Sequence, residues 1–184
     1  MVSGLFLCVL VPVYWHHYGP ANFLWLSDVA LFAVFAALWL RNALLNSMMA
    51  IGVLPFELFW IADFLSSSRL LDVTAYMFDD ALPLYLRALS LFHFGLPAMI
   101  VFLLFRLGFD RRALLAQTAL LWVLLPLSYV VTDAQRNINY TMGWAKEPQT
   151  WMPPLIWLGL EMILLPLLVY LPTHLVLRRL FGPR

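Results

Sequence analysis

The chain has 184 residues, of which 64% are hydrophobic and 11% charged, with a formal net charge of +1. Soluble domains average about 45–50% apolar and 25% charged residues, so a water-soluble fold that hides this much apolar surface is excluded. Near-neutral charge with no basic face also excludes a nucleic-acid partner, which would need Lys and Arg massed against phosphates.

Crossing the hydrocarbon of a bilayer takes about 20 apolar residues in a helix. In chain order, segments 2–15, 22–41, 43–65, 83–106, 113–132 and 152–177 predict an all-α integral membrane bundle of about six transmembrane helices, with residues 1–184 forming one multi-pass domain. The first segment is short, contains Pro12, and lacks the basic flank and small-residue cleavage pattern of a signal peptide. It is read as a first span, and its length leaves open whether it crosses completely. Its Cys8, the single cysteine, has apolar neighbours and no nearby cation, and is expected to be a buried structural thiol. Beyond Gly19-Pro20, Asn22 stands where a helix N-cap is expected.

Orientation follows from the excess of Lys and Arg in short cytoplasmic loops. Arg41, Arg106, Arg111, Arg112, Arg178, Arg179 and Arg184 follow even-numbered spans, whereas Arg69, Arg136 and Lys146 follow odd ones, seven against three. This predicts N- and C-termini in the cytoplasm, if segment 2–15 crosses, and long loops on the extracytoplasmic side. The outer loops are the more elaborate ones. The first carries Tyr14-Trp15-His16-His17-Tyr18, the second Ser66-Ser67-Ser68 and Asp79-Asp80, and the third reads DAQRNINYTMGWAKEPQTW from 133 to 151. Loops of that length are more often functional or mobile than connective. Tyr140, Trp144 and Trp151 suit an interfacial aromatic belt. His16 and His17 are adjacent, not spaced for one helical face, and read as interfacial packing.

Ionisable groups inside a span are expensive and usually face a partner or a cavity. At 1.5 Å per residue from the outer ends, Asp28 and Arg87 lie within about 10 Å of the surface, and Glu57, His93 and Glu161 about 12–16 Å deep. All belong to the outer half, and Asp63 is shallower still. Arg87, Ser90 and His93 follow at three-residue steps, which predicts one bundle-facing sector. Pro97, which cannot donate to the His93 carbonyl, is expected to kink that span. Asn46, Ala50, Val53, Glu57 and Trp60 form a stripe with Pro55 as a bend, Trp157 and Glu161 share a face, and Pro126 and Pro166 are further candidate bends.

Chemically, His93 suits a general base oriented by Glu57, Asp28 or Glu161, because imidazole titrates near neutrality and a carboxylate stabilises its charged form. Ser90, Thr132 or a water is then the nucleophile against a lipid ester, and Arg87 holds a phosphate or carboxylate. The same groups also fit an interhelical network in which Arg87 is balanced by Asp28 or Asp63. No HExxH, G-x-S-x-G, P-loop or dinucleotide fingerprint occurs, so neither a cofactor nor a metal site is expected.

The run Asn137-Ile138-Asn139-Tyr140, then Lys146-Glu147-Pro148 and Trp151-Met152-Pro153-Pro154, resembles bacterial multi-pass membrane proteins. With an intramembrane histidine it is also similar to the androgen-induced-gene type of integral-membrane acyl hydrolases and acyltransferases. That resemblance covers about twenty residues. It implies lipid chemistry, a histidine matched by His93, and a threonine or cysteine nucleophile for which no position is assigned. It adds Asn137, Asn139, Tyr140 and Lys146 to the candidate substrate-binding residues Arg87, Asp28 and Glu161.

Three readings stay open. One is a lipid-directed hydrolase or acyl transferase with membrane lipids as partners. The second is a small-molecule or proton-coupled carrier. The third is a noncatalytic subunit whose outer loops dock a protein partner or a second copy.

Overall fold

A computed structural model describes residues 2–144 and 148–182. Among them the secondary structure is helical throughout: α1 (Val2–Tyr18), α2 (Leu26–Leu40), α3 (Ala43–Gly52), α4 (Leu54–Leu65), α5 (Leu84–Ser90), α6 (Phe92–Leu107), α7 (Ala113–Val131), α8 (Pro154–Leu164) and α9 (Leu171–Phe181). A π-helical segment, Leu165–Tyr170, joins the last two.

Three helical stretches, Leu84–Leu107, Ala113–Val131 and Pro154–Phe181, are long and apolar enough to cross a membrane. The pair α3 and α4, bent by 49°, gives a fourth if it counts as one span. The α2 helix, 15 residues long, covers only about 22 Å of the roughly 30 Å hydrocarbon layer. It is shortened at one end by a 3-10 turn over Pro20–Leu24 and at the other by Arg41 in the left-handed region. Large apolar side chains such as Phe105, Leu115, Val130 and Leu168 stand exposed, the surface of a protein whose solvent is lipid.

The core forms around α3, which packs against α2, α6 and α7. Between helices in lipid the drive is close packing and interhelical hydrogen bonds rather than water expulsion. This helix is built for that: Asn46, Ser47, Ala50 and Gly52 are buried, and Asn46 Nδ2 donates to the Ile100 carbonyl of α6 at 3.1 Å. A Cβ at Gly52 would overlap the fully buried Gln117 side chain of α7. Gly52→Ala should therefore cost about 1–3 kcal/mol by overpacking, and adding Gln117→Ala should restore part of the loss. Melting temperatures in detergent test this, and an unchanged value for G52A would show that Gln117 swings aside.

The break between α3 and α4 falls at Val53, two residues before Pro55, whose missing N–H interrupts the ladder. In the fourth segment the interruption falls at Leu91, where Leu91 N–H bonds Ala88 and Phe94 N–H bonds Leu91 in tight three-residue turns. Pro97 itself lies inside continuous α6. The distortion that its ring imposes on the preceding turn is thus taken up ahead of His93. Pro126 lies inside α7, and Pro166 opens the π-helical segment.

Two local expectations are corrected. Cys8 is exposed, because Leu7, Leu10 and Tyr14 form the inward face of α1 and Cys8 is one helical step off it. Asn22 lies inside the 3-10 turn, and α2 has no side-chain cap from its own N-cap position, Trp25. The Leu26 N–H is satisfied instead by Asn139 Oδ1, at 2.8 Å across 113 positions of sequence.

That bond is one of several that tie the first and third long connections together at one end of the bundle. Arg136 donates to the Tyr18 carbonyl at 2.8 Å, and Trp157 Nε1 to the Tyr140 carbonyl at 2.9 Å. Short links close the other end, where Phe109 N–H meets the Phe181 carbonyl at 3.1 Å and Asp110 N–H meets Ser47 Oγ at 3.0 Å. There the Arg112 guanidinium beside Asp110 holds its carboxyl below the usual carboxylate range.

Candidate functional site

The bend at Val53 sets Glu57 in the first turn of α4, where unsatisfied helix N–H groups favour an anion. The interruption at Leu91 sets His93 in the first turn of α6. The two meet, with His93 Nδ1 2.7 Å from Glu57 Oε2 and side chains only 12% and 3% exposed. A carboxylate only accepts, so Nδ1–H is the donor, and in a neutral ring Nε2 carries the remaining lone pair. The imidazole plane is fixed by Trp60, stacked at 4.4 Å between centroids and 17° between planes.

This pair borders a cavity of about 480 Å³ at the long-loop end of the bundle. Of the candidate residues, Asp28, Glu57, Ser90, His93, Asn139, Tyr140 and Glu161 all line it. Asp28 is 3% exposed. Its Oδ2 receives a long 3.4 Å bond from Asn22, and its Oδ1 has no hydrogen-bond partner among the described residues. Glu161 Oε2 is likewise buried without one.

Ser90 faces the cavity without engaging the histidine. Its hydroxyl donates to the Leu86 carbonyl at 3.3 Å and meets Tyr14 Oη at 2.9 Å. Arg87 is turned elsewhere: the interruption after Ser90 splits the expected three-residue face, and the guanidinium reaches the Met77 carbonyl at 3.3 Å and Asp80 at 3.5 Å. It is paired with neither Asp28 nor Asp63, and it does not line the cavity. Thr132, considered as a nucleophile, closes α7 by bonding the Ser128 carbonyl at 2.6 Å.

The third loop supplies the cover. Asn137, Asn139 and Tyr140 all have left-handed backbone, with φ of 42°, 57° and 61°. That conformation is uncommon for asparagine and strained for a bulky tyrosine. Asn137 staples the loop to itself, donating to the Gly143 carbonyl at 2.7 Å and accepting from Met142 N–H at 2.8 Å, and it lies outside the cavity wall. Asn139 ties the loop to the helices through Leu26 N–H, the Leu24 carbonyl at 2.8 Å and Ser128 Oγ at 3.0 Å. Asn139→Ala should leave these groups unpartnered, lowering stability by about 2 kcal/mol. Proteolysis within 133–153 should accelerate, and a wild-type cleavage rate would count against the tether. Lys146 lies outside the described residues, as do Glu147 and Arg184.

Tyr140 and Trp144 stack at 5.0 Å and Trp25 meets Tyr140 edge-on at 5.6 Å, and two of the three aromatics read as an interfacial belt, Tyr140 and Trp144, line the cavity. Burial pushes the phenols of Tyr140 and Tyr76 above their usual range. Tyr14, Trp25 and Tyr76 are wall residues with no polar spacing signal in the sequence. Their one mark is an aromatic ring at a span boundary, which membrane-interface anchoring explains equally well. His16 and His17 do not line the cavity, and His17 Nε2 lies 2.6 Å from the exposed Tyr85 hydroxyl.

Among the described residues no group of three His, Cys, Asp or Glu is arranged to hold a metal ion. The chain matches no family model, no curated protein and no solved structure.

Proposed function

We propose that this is a six-span protein of the bacterial cytoplasmic membrane, with the Arg-rich short links in the cytoplasm and the cavity opening on the extracytoplasmic half, and that it cleaves or transfers the acyl group of a lipid ester. The observation that carries the reading is the buried His93–Glu57 pair, 2.7 Å apart, on the wall of a largely aromatic cavity. The arginine asymmetry supports the orientation. The Asn137 to Tyr140 run, with its resemblance to integral-membrane acyl hydrolases and acyltransferases, supports the substrate class.

In this mechanism Nε2 of His93 removes a proton from water, or from an acceptor alcohol, as its oxygen adds to the ester carbonyl. The imidazolium, stabilised by Glu57, returns that proton to the departing alkoxide. Ser90 is a poor nucleophile because its hydroxyl is committed to Leu86 and Tyr14. Purified protein should release fatty acid from one class in a panel of lipid esters, and His93→Ala should not. Equal rates for the two proteins, or no turnover on any ester, would end the hydrolase reading.

A second reading, a proton-coupled carrier, is favoured by three carboxyl groups on one cavity and by the π-helical segment that follows Glu161, a feature common at functional sites. Under that reading Glu161→Gln alters uptake into vesicles.

A further inference from the structure

We propose that the cavity takes an organic cation, an ammonium group countered by one of the two unpartnered carboxyls of its wall, Asp28 or Glu161, and packed against aromatic rings, carried on an apolar body. The inference rests on the same cavity as the reading above, as its substrate class, but not on turnover.

The charge inventory comes first. Three carboxyl groups, Asp28, Glu57 and Glu161, and one imidazole, His93, line the cavity, and no Arg or Lys does so among the described residues. Glu57 and His93 satisfy one another. Asp28 and Glu161 have no such counterpart, since Arg87 is turned to Asp80 and Met77. An anionic ligand would find no cationic side chain to meet it among the described wall residues.

The second observation is the pair of orphaned acceptors. Asp28 Oδ1 and Glu161 Oε2 are shielded from solvent and receive no hydrogen bond, although an unsatisfied buried acceptor is costly. Where this chain uses a buried carboxylate for structure it satisfies it fully. Asp63, equally buried, accepts from Ser68, Leu70, Leu71 and twice from Thr74. Asp28, 3% exposed, has only the long bond from Asn22 on its other oxygen, and the N–H groups of an ammonium are the missing complement. The aromatic wall fits the same ligand, because the negative faces of Trp25, Tyr140 and Trp144 attract cations most strongly when water is excluded.

The test uses the whole chain in a neutral detergent and follows tryptophan fluorescence and melting temperature with hexylamine, hexyltrimethylammonium, hexanol and hexanoate. Hexylamine, whose ammonium carries N–H groups, should bind at least about tenfold more tightly than hexanol or hexanoate, about 1.4 kcal/mol, and hexyltrimethylammonium, which has no N–H to offer the orphaned acceptors, should keep only part of that preference. The D28N/E161Q double variant should lose that preference. Equal binding of hexanol and hexylamine, the result expected if both acids simply hold protons, overturns the proposal. So does a folded double variant that keeps the full preference, and if it fails to fold the wild-type comparison decides alone. In phosphatidylglycerol nanodiscs, competition from added phosphatidylethanolamine assigns the cation to a lipid head group. No competition assigns it to a soluble amine, and either result upholds a cation site. Binding without ester cleavage sinks only the hydrolase reading, and ester cleavage without cation preference sinks only this one.

Discussion

Replacing Asp63 by alanine is expected to detach the 66–76 loop and lower stability by about 3 kcal/mol or more. Asp63 is fully buried at the end of α4. Its two oxygens accept Ser68 Oγ at 3.2 Å, Leu70 N–H at 3.1 Å, Leu71 N–H at 2.7 Å, Thr74 N–H at 2.9 Å and Thr74 Oγ1 at 2.7 Å. Bonds to an ionised group are roughly twice as strong as neutral ones, and alanine would leave five donors without an acceptor at once. The loop has no apolar core of its own to fall back on, with Leu70 64% exposed and Leu71 39% exposed. Because Leu71, Val73 and Tyr76 also line the cavity, ligand binding should fall together with stability. Hydrogen exchange over 66–76, beside melting temperature, is the measurement. Wild-type protection of those amides in D63A would refute the anchoring role. Asp63→Asn should fall between, since an amide keeps one acceptor but turns a donor towards the others.

The second large effect is catalytic. His93→Ala should lower kcat for ester cleavage by about 10²–10⁴-fold, the usual contribution of a positioned acid–base group. Glu57→Gln should lower it by about tenfold to a hundredfold, because an amide can still accept from Nδ1 but no longer carries the charge that stabilises an imidazolium. Both losses should appear in kcat more than in KM, since in the proposed reaction His93 moves the proton and Glu57 acts through it, and neither holds the apolar body of the substrate. Trp60 lies against the ring at 4.4 Å, so Trp60→Ala, which frees the imidazole to rotate, should give a smaller kcat defect than H93A. If E57Q and H93A altered KM alone, the pair would be binding substrate rather than moving a proton.

Helical spacing states which residues share a face, and this property was readable from the chain. Asn46, Ala50, Val53, Glu57 and Trp60 recur on one side of a helix, and all five are buried. Polar groups at similar depth from five segments pointed to one region, and most of them share one cavity. Spacing along separate helices says nothing about their relative rotation, so Glu57, Asp28 and Glu161 were equally good partners for His93 until the tertiary arrangement chose Glu57. Arg87 was misdirected for a related reason: periodicity assumes an unbroken helix, and the turn at Leu91 lies between Arg87 and His93. Asp63 looked like a shallow charge because its partners are mostly backbone amides, which every sequence offers at every position. The capping of Leu26 by Asn139 spans 113 residues, and no local propensity encodes it.

That long bond has a consequence for biosynthesis. When translation has delivered α1 to α4, Asp28 and Glu57 have been made, yet Asn139, which ties the third loop to Leu24 and Leu26, has not been translated. That tie cannot form until α5, α6 and α7 have also been made. Closure of the cavity is therefore a late event of assembly, and a nascent chain stalled before residue 139 would carry the acids and the histidine but no enclosed site.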